Sequence, residues 1–440
     1  MKGKPLDQAR AASVDSARGT PLDDARGRPL DNARGRRLLG LHPAVLVLAS
    51  THFLVDGFGN IFAPLLPLLI PRLGLSLAAA GTVQMLYQMA NSVSQLGFGH
   101  LADRWRPRVL LLAGPLLAVS VVTLIGFARN VWMLAAALIV GGLGAAAFHP
   151  PAAALVHRYS GERRGLSMSF HITSGTLGQA IAPLVFAPVA QHFGLGMVPA
   201  LMIPGLAVVG LLLLPRIPRI EQLRERHEPV AGFSALRPYA RPLALLYFIV
   251  VLRTMTANAF SVFTPTMLVR RGMSVAEAGT VTFIFLTAVG AGGFFGGPLA
   301  DRFGPRKVII LSLLSAVPFL FAAPHLTGHS FTVVLAAGGF LLQSTLPVNV
   351  TFGQTLAPIS AATVSSLMMG FAWGMAGLNV PLAGMIGDRI GIERMLMTMS
   401  LLPVVATLLA LPLPGGRPVH TPSRGSESVV PEVTGTDVAD

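Results

Sequence analysis

The sequence predicts an all-α protein that crosses a membrane with twelve helices, divided between two pseudo-symmetric six-helix bundles. Three observations predict it: a composition too apolar for a water-soluble surface, twelve apolar segments of membrane-crossing length, and a signature repeated at a nearly constant offset. Of 440 residues, 12% are charged and 52% hydrophobic, with a mean hydropathy of +0.65. Soluble domains carry about 25% charged residues, so too few are present here to cover a soluble surface. The 47 glycines and 34 prolines sit largely inside apolar runs, where membrane helices tolerate them. Cysteine is absent, which removes disulfides, thiolate metal sites and cysteine nucleophiles together.

The apolar segments are 43–70, 76–100, 108–128, 131–157, 165–191, 195–214, 242–269, 274–300, 307–324, 330–356, 363–387 and 394–412. Each is near the ~20 residues that span a ~30 Å hydrocarbon core. The ~10-residue alternating pattern of barrel strands is missing. The expected domains are a first bundle at 43–214, a basic linker at 215–241 and a second bundle at 242–412. Residues 1–42 form a polar tail with degenerate octapeptides (PLDQARAA, SVDSARGT, PLDDARGR, PLDNARGR). It has too few large apolar residues for a core, so disorder is expected. It also lacks the apolar stretch of a cleaved signal. Residues 413–440 form a second polar tail.

The net charge of +14 is distributed as a topology signal. Basic residues concentrate in alternate loops: Arg104, Arg106 and Arg108; Arg158, Arg163 and Arg164; six arginines of the central linker; and Arg302, Arg306 and Lys307. The opposite loops hold six: Arg72, Arg129, Arg270, Arg271, Arg389 and Arg394. The positive-inside bias puts both termini and the linker in the cytosol. Nucleic acid is not an expected partner; the bilayer is.

The halves repeat. GHLADRWRPR at 99–108 matches GPLADRFGPR at 297–306, an offset of 198, and Val109/Val308, Pro150/Pro347, Gly175/Gly374 and Gly178/Gly377 keep nearly that spacing. In such duplicated proteins the substrate site is expected between the halves, near mid-bilayer.

With two six-helix halves, a basic central linker and G-x₃-D-R-x-G-x-R after the second helix of each half, the chain resembles the major facilitator superfamily. The second copy is complete (Gly297, Asp301, Arg302, Gly304, Arg306). The first has Gly99, Asp103, Arg104 and Arg108, with Arg106 in the place of the glycine. The strings THFLVDGFGNIFAPLLPLL (51–69), GAAAFHPPA (144–152), GGPLADRFGPRKVII (296–310) and GFAWGMAGLN (370–379) resemble its fosmidomycin-resistance branch. The resemblance implies a bacterial inner-membrane exporter, proton-coupled, for phosphonates or other small toxic compounds, working as a monomer. It also implies that the motif carboxylates help lock the cytosolic gate. Physically, Asp103 and Asp301 end helices whose dipole disfavours an anion there, so each needs a partner. An importer of a small organic anion or sugar is the alternative, because one cavity serves both directions.

Ionisable residues inside the spans mark the candidate site. His52 and Asp56 are four residues apart on one face of helix one, and Asp56 lies at the midpoint of its segment. Arg253 lies near the midpoint of the symmetry-related helix seven. A charge at mid-bilayer costs at least about 2.5–3.5 kcal/mol, so these side chains are expected to face a shared cavity or each other. The expected roles are proton site for Asp56, relay for His52, and anion ligand or counter-charge to Asp56 for Arg253. A structural ion pair is the competing interpretation. His149, before Pro150-Pro151, His171, Gln343 and Asn349 are candidate lining residues, and the two prolines are expected to break backbone hydrogen bonds of helix four and kink it. Gly175/Gly178 and Gly374/Gly377 are expected to pack the halves against each other. No Walker A, HExxH, paired carboxylate or nucleophile turn occurs, and the histidines lack metal-type spacing. Neither an enzyme, a cofactor nor a metal is therefore expected; a receptor on this scaffold would need a large soluble domain.

Overall fold

The computed structural model describes residues 41–104, 107–160, 163–213, 233–357 and 361–415. The N-terminal octapeptides, most of the central linker and most of the C-terminal tail lie outside these residues, as does Arg106. Eleven helices are long and apolar enough to cross a membrane: α1 (Pro43–Leu73), α3 (Arg108–Phe127), α4 (Val131–Tyr159), α5 (Leu166–Phe193), α6 (Leu195–Leu212), α7 (Leu236–Arg270), α8 (Val275–Phe303), α9 (Pro305–His325), α10 (Gly328–Leu356), α11 (Thr363–Ile390) and α12 (Ile392–Ala410). The remaining apolar segment is α2, helical in two pieces, Leu77–Ser92 and Ser94–Arg104, that meet at Val93.

Local chemistry sets the ends, and it repeats between the halves. The Ser76 hydroxyl accepts from Ala79 N at the start of α2, and Ser274 forms a capping box with Glu277 at the start of α8. Such caps satisfy amides that a helix start leaves open. Gly74 and Gly272 follow α1 and α7 with φ of 62° and 93°, a backbone region that glycine enters without strain. Arg72 donates to the Gly126 carbonyl near the end of α3, and Arg271 donates to the carbonyls of Leu326 and Pro324 near the end of α9. Both guanidiniums thereby neutralise C-terminal helix carbonyls.

Packing follows the same duplication. In the first half α1 lies on α5, α3 on α4 and α2 on α4; in the second, α7 lies on α11, α9 on α10 and α8 on α10. The halves meet chiefly where α5 packs on α8 and α2 on α11, and the second piece of α1, Phe62–Leu73, also lies against α7 and α8. At the second contact Gly81 abuts the Val380 carbonyl and Gly384 the Leu77 carbonyl, with no room for a methyl group at either. Trp132, Leu211, Phe294 and Val333 are each at least two-thirds exposed. A water-soluble protein would cover such surface, whereas lipid solvates it.

Pro150 and Pro151 do not end their helix. α4 runs unbroken from Val131 to Tyr159 with Pro150 and Pro151 inside it. The irregularities lie elsewhere: at Asn60 in α1, Val93 in α2, Ser344 in α10, and a π-helical stretch Ser366–Phe371 in α11. A proline removes one donor and crowds the preceding turn, yet a membrane helix absorbs this when its neighbours pack the site. Here Gly144 and Phe148 of α4 hold Gly114 of α3 in close contact.

Candidate functional site

α1 projects His52 and Asp56 from one face, with His52 Nε2 3.3 Å from Asp56 Oδ2. α4 brings His149 to the other carboxylate oxygen, its Nε2 3.5 Å from Oδ1. α5 closes a third side. Gln179 Nε2 donates to Asp56 Oδ2 at 2.9 Å, and His52 Nδ1 donates to the His171 carbonyl at 2.8 Å. The His171 ring stacks on His52 with centroids 4.3 Å apart. Asn60 Nδ2 donates to the Gln179 carbonyl, so the end of the first piece of α1 is tied to the same helix. The Asp56 and His149 side chains keep 14% and 18% exposure, so the cluster is reachable.

Gly175 explains how α5 comes so near. A methyl group there would lie 2.6 Å from the His52 ring and 2.7 Å from Asp56 Oδ2, and Gly178 leaves equally little room against the Phe53 backbone. The pair Gly175/Gly178 therefore packs α5 onto α1 inside the first half, not across the halves as expected. α5 meets α8 through Thr176, Pro183 and Ala187 instead. The repeat-related Gly374 and Gly377 do face the other half, against Met89, Ser92 and Gln88 of α2.

Geometry constrains the charge between His52 and Asp56. A carbonyl can only accept, so His52 Nδ1 carries hydrogen. A neutral His52 would then aim a bare Nε2 lone pair at a carboxylate oxygen. Two acceptors at 3.3 Å require a proton or a metal ion between them, and the proton can be carried by His52 Nε2 or by Asp56 Oδ2.

Arg253 sits in the second half, 1% exposed. It donates to the Gln343 side-chain oxygen on α10 and to Thr254 Oγ1, while its Nε is buried without a partner. Among the described residues it forms no ion pair, so Arg253 neither holds Asp56 ionised nor forms a structural pair with it in this structure. The histidines and Gln179 take that place. A polar link between the halves runs near them, where Asn258 Nδ2 of α7 donates to Gln88 Oε1 of α2 at 3.4 Å. Asn349, beyond the Ser344 break, is fully buried with both amide atoms unpartnered; no hydrogen bond joins it to Arg253.

At the end of the molecule bearing the repeated motif, Asp301 and Arg302 are exposed, and Arg302 lies 5.3 Å from the Phe303 ring centroid. Gly304 has φ of 88°, which fits its place in the motif, and Arg306 donates to the Leu411 carbonyl after α12. Gly297 borders open space, and a methyl group at Gly99 would lie 3.8 Å from Pro150. Asp103 and Arg104 are helical, with side chains outside the described part, and Arg108 starts α3 partly buried.

The opposite end is tied across the halves. Asp388 at the end of α11 accepts from Leu77 N and Ala78 N of α2 at 2.8 and 2.9 Å. Gln191 near the end of α5 accepts from Ala276 N of α8 at 2.7 Å. Sequence reasoning missed both, although a signal was present: Gly384, Asp388, Arg389 and Gly391 repeat the G-x₃-D-R-x-G spacing, and Ala187, Gln191, His192 and Gly194 form a weakened copy. It also missed Gln179, which the four-residue rhythm of His171, Gly175 and Gln179 on α5 would have flagged.

The sequence matches the Major Facilitator Superfamily over residues 48–274 and 246–358. It is 29% identical over 379 residues to the fosmidomycin resistance protein of Escherichia coli (strain K12), covering 84% of this chain and 92% of that one. It is 27% identical over 327 residues to the multidrug resistance protein MdtG of Enterobacter lignolyticus, covering 68% and 76%. Among solved structures, a bacterial homolog of the human lysosomal transporter Spinster, inward-facing and occupied, superposes with a TM-score of 0.72 at 17% identity, covering 83% of this chain and 95% of that one. With a helical fold in two repeated halves and a sequence match across most of both, the chain belongs to the Major Facilitator Superfamily and is a multi-pass membrane transporter, not an enzyme.

Proposed function

We propose that this transporter is a proton-coupled exporter of small organic anions, fosmidomycin-like phosphonates among them, working by alternating access as a monomer in the bacterial inner membrane. The observation that carries the proposal is Asp56, a carboxylate inside the span, set between imidazoles from two helices. It is the arrangement expected of a group that takes and gives up a proton during a cycle. Across the halves, Arg253 is a buried guanidinium whose described partners are neutral oxygens. An anionic substrate that displaces the Gln343 oxygen supplies the charge Arg253 lacks. The similarity to a fosmidomycin resistance protein supports a phosphonate as the first substrate to test.

With both termini cytosolic, the end tied by Asp388 and Gln191 is the outer one, so these ties close the outer access. Opening outward breaks them, and Asp103 and Asp301 then form the matching locks on the cytosolic side. The six-helix units 43–214 and 242–412 are the bodies that rock, with Gly81, Gly384 and Gly377 on the surface between them.

The test is transport of fosmidomycin in proteoliposomes under an imposed pH gradient, with everted and right-side-out vesicles giving direction. The expected result is gradient-driven accumulation in everted vesicles that Asp56→Asn abolishes. Full gradient-driven transport by Asp56→Asn overturns the coupling role, and movement of hydrophobic cations alone overturns the role of Arg253.

A further inference from the structure

We infer that His52, Asp56 and His149 form a binding site for a divalent transition metal of the zinc class inside the transporter. The spacing of the histidines along the chain gave no sign of it, because one ligand comes from α4 and two from α1. In the fold, one atom from each of the three residues can be chosen so that all lie within 4.8 Å of one another. Ligands held at about 2.0–2.1 Å from a tetrahedral zinc stand about 3.3–3.4 Å apart along each edge. The His52–Asp56 and His149–Asp56 contacts measure 3.3 and 3.5 Å. Each contact has the length of one such edge, and the two end on different oxygens of the same carboxylate, so a metal between the imidazoles would draw the three residues in from their present span of 4.8 Å.

The surroundings supply what such ligands need. A metal-bound histidine directs one nitrogen at the ion and donates its other N–H to a carbonyl or carboxylate, which fixes the tautomer. His52 does this already, with Nδ1 donating to the His171 carbonyl at 2.8 Å and Nε2 turned to Asp56. Gln179 donates to the carboxylate at 2.9 Å, as a supporting group does for a ligating oxygen. The contact between His52 and Asp56 requires a cation in any case. A proton meets that need when no metal is present, and metal entry expels it, because zinc binds deprotonated imidazole. Two imidazoles and one carboxylate favour zinc, cobalt or nickel over magnesium or calcium, which select oxygen. Three protein ligands leave the fourth position to water or to an oxygen of a bound molecule. The remaining exposure of Asp56 and His149 gives the ion an entry.

The inference rests on geometry and not on the direction or coupling of transport, so its test uses neither a gradient nor a substrate. Full-length protein carrying no polyhistidine tag is purified in detergent and titrated with Zn²⁺ alone by calorimetry, and with Co²⁺ followed by visible absorption. The expected result is a saturable site with the absorption of four-coordinate Co²⁺. Zn²⁺ affinity should fall at least tenfold in Asp56→Asn and in His149→Gln, each confirmed monodisperse, and stay unchanged in His100→Gln, which alters an exposed histidine outside the cluster. Wild-type affinity retained in the monodisperse Asp56→Asn or His149→Gln protein, or wild-type protein with no saturable Zn²⁺ binding, overturns the inference. Fosmidomycin transport by the same wild-type preparation is assayed separately, so loss of the proposed function and loss of the metal site are distinguishable.

Discussion

The two buried charges of this transporter are neutralised in opposite ways. Asp56 is surrounded within its own half, by imidazoles from α1 and α4 and an amide from α5. Among the described residues Arg253 has only the neutral oxygens of Gln343 and Thr254. A carboxylate with imidazole partners in place can, under the proposed function, exchange a proton without help from the other half. A guanidinium bonded only to neutral oxygens keeps its full attraction for an arriving anion. The difference teaches that duplication preserved the scaffold while the polar surroundings of the two buried groups diverged, and under the proposed function one serves a cation and the other an anion.

Four variants sharpen or break this contrast. Asp56→Asn should have the largest effect, a loss of gradient-driven transport on the order of 100-fold, as for a removed proton-transferring group. Substrate exchange without a gradient should survive, and loss of both activities together would reduce Asp56 to a scaffold role. Arg253→Gln should raise the KM for a phosphonate by about 10- to 100-fold, the worth of a charge-assisted hydrogen bond, with Arg253→Lys in between. An unchanged KM would separate Arg253 from the substrate. Gly175→Ala should destabilise the protein by about 1–3 kcal/mol through overpacking, seen as a lower Tm, because its methyl group meets His52 and Asp56. Asp388→Ala should have the smallest effect, about fivefold, within the range of a lost helix cap. The absence of native cysteine lets Val380→Cys report it, through faster labelling by an impermeant maleimide when the α2–α11 contact loosens.

Much of the fold was legible because burial in lipid leaves a strong mark: runs of apolar residues, basic loops, and a motif repeated at a fixed offset. His52 and Asp56 were legible as a pair because one turn of helix separates them. Their meeting with His149 and Gln179 was not, since helix-to-helix contacts leave no periodic trace. Gly175 shows the limit well. Its small size signalled close approach, but nothing in the sequence told which neighbour approached. The unseen pairing of Arg253 with Asp56 shows another limit, because equal depth in two helices does not fix whether their side chains meet.

The bond that Asp388 makes has an asymmetry with consequences for how the transporter can vary. Its acceptors' partners at Leu77 and Ala78 are main-chain amides, which any residue but proline provides. Drift at those two positions leaves the fastening intact, while the whole burden of holding it falls on one acidic residue. Under the proposed orientation, a natural variant altered at Asp388 would thus change how long the exit stays shut without touching the chemistry of what passes through it.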